Sequence, residues 1–488
     1  MALYLGIDFG TSTNYIVSWD SNNKKIDSEI MEFGGNNVID NIIHYGNGNT
    51  TIGKTARGKY ITDPMNVVRY IKRELDKPNY TVFIPALARE LSAREIASDI
   101  LFKIKEIVRK NHGNEEIEGV VMTVPFAFLH KERVNIKKAA EEAGLKVIGL
   151  LEEPVAAAIS YVKENNDIFT ENSKKIMVFD LGGGTLDVTI FECHKKGEDI
   201  FIEVLNTDGD KYLGGKDVDD ILSDMIQKEA NFYMKDIVDK SLRKKFMEEI
   251  SNLANQTKEE LSEDDEVEMF EMLGAGKIEF EKDITQDEFE RLLVNSKFIS
   301  RIEETIEDAI FDIDLDYKDI DEVILVGGSS RLIPVQNLLI DLFEKEPIKV
   351  KDPSTLVGRG AALYCEILID KVNKYHIIPR LSQGIGIDKN GKFECLIDKN
   401  SKYNSYSEIE WYNLKNSNEI IRIDIYQGNT EILNECSIVG TIEVDRNLFR
   451  DELGIRLGID SNGIIKYKLY SKNDFLEVKL EYEGELTN

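Results

Sequence analysis

A strand that ends in an aspartate, turns on glycine and returns as a strand occurs twice in this chain. The first copy, "LYLGIDFGTSTNYIVSW", carries Asp8 ahead of Gly10, Thr11 and Ser12. The second, "MVFDLGGGTLDVTIF", carries Asp180 ahead of Gly182, Gly183 and Gly184, with Asp187 on the return. One Gly-Gly turn between β-rich runs is ordinary hairpin punctuation. A repeated turn with the same acid at its edge implies two related half-domains, placed to grip one ligand from both sides. Backbone N–H groups unshielded by side chains form an anion-binding nest, so the ligand this pattern suits is a polyphosphate. Two aspartates in such a nest would repel phosphate without a divalent cation between them. The pair therefore predicts Mg²⁺, held largely through its water shell.

The bulk numbers narrow the class. With 488 residues the chain has room for two to four domains with their own cores. Lys plus Arg total 61 against 90 Asp plus Glu, a net charge of −29 that disfavours nucleic acid and anionic membranes as partners. Cys193, Cys365, Cys395 and Cys436 lie far apart and form no C-x-x-C pair, so neither a disulfide framework nor a metal cluster is expected, as suits a reducing cytoplasm. The opening "MALYLGIDFG" has no basic stretch and places Asp8 inside its apolar run, which is unlike a signal peptide. Apolar runs such as "VVMTVPFAFL" are too short to span a bilayer.

Up to about residue 372, strand patterns alternate with long helical ones, the mark of an α/β architecture. "SAREIASDILFKIKEIVRKN" opens with Ser92 and Glu95 as a capping box, and "KERVNIKKAAEEAG" closes on Gly144. An acidic helical region between "ILSDMIQKEA" and "LSEDDEVEMF" reads as an insertion. In "VILVGGSSRLIPVQNLLIDLF" an apolar strand runs through Gly327, Gly328, Ser329 and Ser330 into a helix, a place where phosphate or a nucleoside docks. Beyond 373, alternating runs such as "IIRIDIYQG" and "IRLGIDSNGIIKYKLYSK", turning at Ser461-Asn462-Gly463, indicate a separate all-β domain. No long helix pattern follows.

In order and spacing, "GIDFGTST", "VVMTVPFAF", "LLEEPVAAAISY", "FDLGGGTLDVTI", "YLGGKDVD" and "VGGSSRLIP" resemble the nucleotide-binding domain of the heat-shock 70 kDa chaperones, the DnaK-like family. "IYQGN" and "LGIDSNGII" resemble, more loosely, that family's β-sandwich. The resemblance implies an actin-like (duplicated ribonuclease H-like) ATPase domain over 1–372, a linker over 373–379 and a peptide-binding β-sandwich over 380–488, without the family's helical lid. It implies a slow ATPase and chaperone that takes ATP or ADP with Mg²⁺, and K⁺ as a further cation. Expected partners are extended apolar segments of unfolded polypeptides, a J-domain co-chaperone and a nucleotide exchange factor, and no nucleic acid or membrane.

Residue by residue, the resemblance places Asp8, Gly10, Thr11, Ser12 and Thr13 on the first phosphate loop and Asp180, Gly182, Gly183, Gly184 and Thr185 on the second. Gly214 and Gly215 lie beside them. Asp8 and Asp180 would hold Mg²⁺ through water, and Thr185 would lie beside the γ-phosphate. Lys72, in "YIKREL", would reach that phosphate and orient the attacking water, and Glu153 and Asp187 would complete the catalytic set. Outside this context a lone Lys or Glu is far more often a solvated charge. Pro125 and Arg133 resemble an interdomain relay, against bland readings as a strand terminator and a surface charge. Gly327, Gly328, Ser329 and Arg331 would hold the nucleoside, with Arg331 stacking on a purine. Ile385, Trp411, Leu414, Ile421 and Ile423 match positions around the peptide cleft, although an apolar residue in a sandwich is more often core.

Three departures stand out. In "NQTKEELS", Asn255, Lys258, Glu259 and Ser262 share one helix face. The resemblance would put an acid where Asn255 stands and an arginine where Glu259 stands. Loss of that cation predicts weaker ATP and ADP binding and faster exchange. The linker "DKVNKYHIIPRLS" lacks a leucine-rich run and offers Val372, Tyr375, Ile377 and Ile378 instead, so weak interdomain coupling is expected. Gly149 and Glu152 replace polar or basic residues that would receive a J-domain. These departures sustain a second reading, a degenerate binding module with nucleotide as a structural ligand and one dedicated partner. A third, an actin-fold kinase or filament subunit, rests on the phosphate loops alone.

Overall fold

The computed structural model describes all residues except 1, 31–36, 47, 61, 78, 231–239, 277, 350–352, 370–373, 415–419, 450–451, 473–477 and 487–488. Val372 and the expected boundary at 372/373 lie outside the described residues, as does the middle of the acidic insertion.

The duplicated motif is built as two sheets of the same plan. In the first lobe, Leu3–Phe9 returns antiparallel as Thr13–Asp20, and Ile117–Val124 runs parallel on its other side, flanked by Val147–Glu152. In the second, Lys174–Leu181 returns as Leu186–Lys196, with Glu322–Val326 parallel on its other side. Each acid-bearing strand is thus central. Leu3, Leu5, Ile7 and Phe9, and likewise Met177, Val178 and Phe179, are fully buried, as strands covered on both faces require. Two helices, Glu153–Glu164 and Pro353–Ile369, fill the space between the lobes and build a separate apolar core there with Tyr15, Val17, Val178 and Ile324. A side chain on Gly360 would collide with the carbonyl of Ala156, so a residue without Cβ is what lets these helices touch.

Both expected helices form. Ala93–Asn111 starts on the Ser92/Glu95 capping box, and His130–Glu142 stops before Gly144, whose φ is +73°. The third glycine motif is strand Glu322–Val326, a turn over Gly328–Arg331 and helix Ile333–Phe343.

Residues beyond 380 form two four-stranded antiparallel sheets. One is Lys392–Ile397, Gly384–Lys389, Ile420–Gly428 and Ser437–Asp445 in spatial order. The other is Glu410–Asn413, Glu452–Ile459, Ile465–Lys472 and Val478–Glu485. Their shared core takes Ile385, Leu414 and Ile423, each at most 7 % exposed, with Ile421 packed against it. In this arrangement these residues stand in or against the sandwich core. Trp411 is half-buried, and its ring fills the space beside Gly454.

The linker segment lies against the second lobe. Tyr375–Ile378 is a strand, parallel to Asp199–Asp210 at the edge of the second-lobe sheet. Alternation explains it without leucines: Tyr375 and Ile377 pack on the interlobe core, and the ring of His376 stacks on Phe201 with centroids 4.6 Å apart. Arg380 Nη2 then binds Glu203 Oε1 at 2.5 Å. The sandwich rests on the first lobe, and the two exchange core residues: Leu129 belongs to the sandwich core and Ile464 to the first-lobe core. His130, fully buried, spans the seam, accepting from Ile465 N at Nδ1 (3.1 Å) and donating to Leu486 O from Nε2 (2.8 Å).

Candidate functional site

The two glycine turns face each other across the cleft. A side chain on Gly183 would collide with Ser12, and one on Gly184 would lie 2.7 Å from Thr11 Oγ1, so the loops close only because these positions lack a Cβ. The second loop is seated on the helix Gly215–Glu229: Gly215 N donates to Gly182 O (3.0 Å) and Lys216 N to Gly183 O (2.8 Å). The first loop is braced by Asn41, whose side chain donates to Gly10 O and whose N–H donates to Ser12 O at 2.7 Å.

Around this gap stand Asp8, Glu153, Asp180, Asp187 and Lys72. Lys72 lies in the short turn Ile71–Glu74, entered through Tyr70 in a left-handed conformation (φ 59°), and donates to Glu153 Oε1 at 2.5 Å. Lys72 is 5 % exposed and Glu153 8 %, which replaces the solvated-charge alternative for both with a buried ion pair. Asp8 accepts from Thr123 Oγ1 at 2.9 Å. Burial and, next, the charge of Glu153 push the carboxyls of Asp8 and Asp187 up to about 7. The same two causes hold Asp180 well above its ordinary range. The Oδ2 atom of Asp187 is buried with no hydrogen-bond partner among the described residues. Four acids facing one lysine form a donor set short of positive charge, and a divalent cation would relieve it. Among the described residues no group of three or more His, Cys, Asp or Glu side chains is placed to hold a metal ion directly.

A cavity of about 70 Å³ between the loops is lined by Asp8, Gly10, Thr11, Ser12, Thr13, Lys72, Glu153, Asp180, Gly182, Gly183, Thr185, Gly327 and Gly328. It shares Ser12, Thr13, Gly183 and Gly328 with a larger one of about 410 Å³, where Lys258, Ser262, Ser329 and Arg331 join Asn255 and Glu259. The fold thus brings these expected residues together. Gly184, Gly214, Gly215 and Asp187 lie outside that lining. Gly214 and Gly215 pack beneath the second loop, and Asp187 lies behind it, taking Ala127 N at 3.4 Å. Lys258 is committed to Asp219 Oδ1 (2.7 Å), and burial, the leading effect, raises the Glu259 carboxyl.

Sequence reasoning missed Arg73. Its guanidinium joins Gly184 O (2.5 Å) to Asp217 Oδ2 (2.9 Å) and so fixes the second loop from the opposite lobe. Its position beside Lys72 was the available signal. Arg133, read as a relay or a surface charge, is 2 % exposed and donates to Phe128 O, Glu152 Oε1 and Asn462 O. Pro125 is buried and opens the turn that ends in Phe128 N→Pro125 O (3.1 Å). No helix among the described residues is long and apolar enough to cross a membrane.

The family model described as Hsp70 protein matches residues 4–485. Among curated proteins, the chaperone protein dnaK of Cyanidium caldarium is 29 % identical over 534 aligned residues, covering 100 % of this chain and 81 % of the relative.

Proposed function

Because this chain belongs to the Hsp70 family, and so is an ATP-hydrolysing chaperone for extended segments of unfolded polypeptides that binds its nucleotide with a divalent metal, we propose that the cleft between the glycine turns is its ATPase centre. The observation that carries the assignment is the convergence of Lys72, Glu153, Asp8 and Asp180 on the gap between two loops that close where Gly183 and Gly184 meet Ser12 and Thr11.

The metal we assign is Mg²⁺, with Asp8 and Asp180 holding its water shell, and K⁺ is a further cation beside it. When bound, it would neutralise the phosphate oxygens and charge developing on them. The chain's own residues supply the rest. Backbone N–H groups of the two loops cradle the phosphates, and Thr11 and Thr185 flank the terminal one. Lys72, oriented by Glu153, positions the attacking water, and Asp187 sits behind as a further acceptor. Gly328, Ser329, Arg331, Lys258 and Ser262 form the nucleoside end.

The domain division we adopt is 1–372, 373–379 and 380–488, supported by the separate cores. Co-chaperones act on the family in general; for this chain we propose a J-domain protein and an exchange factor. Glu152 is 1 % exposed under the sandwich, so J-domain contact at that position requires the sandwich to move. A reducing cytoplasm is the proposed compartment, supported by four cysteines that are all free thiols.

The test is phosphate release by the wild type and by Lys72→Ala, each with and without an unfolded peptide. The wild type is expected to turn over slowly and faster with peptide, and the variant to lose about a hundredfold or more. Undiminished turnover in the variant would overturn the role of Lys72.

A further inference from the structure

The phosphate cavity between the glycine turns has a second end. Its Thr11, Lys72 and Thr185 also line a smaller hollow of about 20 Å³, whose other walls are Arg73, Asp76, Phe128, Glu132, Lys211 and Tyr212. None of these residues lines the nucleoside cavity, which meets the phosphate cavity at Ser12, Thr13, Gly183 and Gly328 instead. The phosphates therefore have the nucleoside at one end and this hollow at the other. A space of about 20 Å³ holds roughly one water. It is too small for a phosphate ion, which carries four oxygens.

What narrows the hollow is contact across the lobes. Lys211 and Tyr212 follow the second-lobe strand Asp199–Asp210, whereas Asp76 lies just past the turn that carries Lys72 and Glu132 lies in the first-lobe helix His130–Glu142. Lys211 Nζ donates to Glu132 Oε1 at 2.5 Å, and the Tyr212 hydroxyl donates to Asp76 Oδ2 at 3.4 Å. Glu132 is 4 % exposed, so parting the pair strips a buried carboxylate of its cation. Deeper in, the Arg73 guanidinium binds Gly184 O and Asp217, while its Nε is buried with no partner among the described residues. A Cβ on Gly184 would lie 2.7 Å from both Arg73 Nε and Thr11 Oγ1, which puts this N–H beside a threonine that both cavities share. An unused N–H on a fixed cation suits an oxyanion.

In-line displacement gives this end its importance. The water oxygen bonds to the γ-phosphorus on the face away from ADP, the bond to the bridging oxygen breaks with its electron pair left on ADP, and hydrogen phosphate and one proton result. The new phosphate thus forms with ADP on one side and the hollow on the other. We propose that this hollow is the route by which water enters and inorganic phosphate leaves while ADP stays bound, and that the Lys211–Glu132 pair times the exit. Closed, the pair leaves room for water alone. Parted, it opens a path along the Arg73 guanidinium and frees Lys211 to meet the ion. The inference rests on the ATPase reading above and adds to it the exit of the product and the residues that control it.

The experiment follows a single turnover of ATP with Mg²⁺ by the full chain, reading cleavage by acid quench, phosphate release by a fluorescent phosphate sensor and ADP release by a labelled nucleotide. In the wild type, phosphate is expected to appear with a lag behind cleavage. Glu132→Gln keeps the size of the side chain and removes its charge, and Lys211→Met does the same from the other lobe. Each should speed phosphate release about threefold or more and leave the rates of cleavage and ADP release within about twofold. The double variant should go no further than either single one, because both remove the same pair. A purely structural role would instead loosen the lobes and speed ADP release as much as phosphate release. That result, a wild type without the lag, unchanged phosphate release in both single variants, or additive effects in the double variant would each overturn the proposal while the ATPase reading stood. If one single variant fails to fold, the other decides alone by the same readout. No cleavage by the wild type would remove the ATPase reading, and the proposal with it.

Discussion

Glu259 lines the cavity that we assign to the nucleoside, together with Arg331. A carboxylate cannot offer the cation–π contact that an arginine gives a purine face, so one wall of the pocket holds no stacking cation. Glu259→Arg is expected to tighten ADP binding about three- to tenfold by calorimetric titration; unchanged or weaker binding would show that position 259 does not face the base. Residues of this kind were readable because the helix period places Asn255, Lys258, Glu259 and Ser262 on one face. The same holds for Asp8 and Asp180, which repeat at equal distances from their glycines. Thr123 and Tyr403 were not readable. Their partners, Asp8 and Glu152, lie 115 and 251 residues away in the chain, and a threonine or tyrosine has no local pattern that announces such a bond.

The linker strand shows what an element needs beyond its own sequence. Four residues, Tyr375–Ile378, alternate inward and outward, too short a run to specify a strand alone. The exposed edge of Asp199–Asp210 supplies the missing half of the ladder. On the outer side three rings stack across three strands: His194 on Phe201 at 4.9 Å and 6°, Phe201 on His376 at 4.6 Å and 16°. Lys374 with Glu198, and His376 with Asp199, flank the stack. The segment has no leucine run, and it docks through an aromatic stack on one side and through Tyr375 and Ile377 on the other. Phe201 is half-buried and lies outside the apolar cores, so Phe201→Ala should leave the sheet folded while removing both stacks. Limited proteolysis within 374–379 is then expected to run about fivefold faster or more. An unchanged rate would mean that the inward residues Tyr375 and Ile377 hold the linker without the ladder.

Closure of the whole molecule sets charge against packing. Asp8 comes from the first lobe and Asp180 and Asp187 from the second, and folding brings them around Glu153 with one lysine to offset them. The lobes pay part of that cost elsewhere, through Arg69–Glu248 (3.0 Å), Arg73–Asp217 (2.9 Å) and Lys211–Glu132 (2.5 Å). The remainder depends on pH. Asp8 and Asp187 titrate near 7 in the fold but near 4 in an unfolded chain. A raised carboxyl binds its proton more tightly when folded, so its contribution to stability is complete below about pH 4 and is lost as the pH rises through about 7. Metal-free protein should therefore unfold at a lower temperature at about pH 8 than at about pH 6, as like charges accumulate in the closed cleft. A cation with nucleotide reverses this, because ionised carboxylates are what it requires. Calorimetry at the two pH values, with and without Mg²⁺ and ADP, should find the larger gain in Tm at the higher one. An equal gain at both would mean that these aspartates are already ionised in the free protein, and that their crowding costs the closed molecule nothing which a bound cation could return.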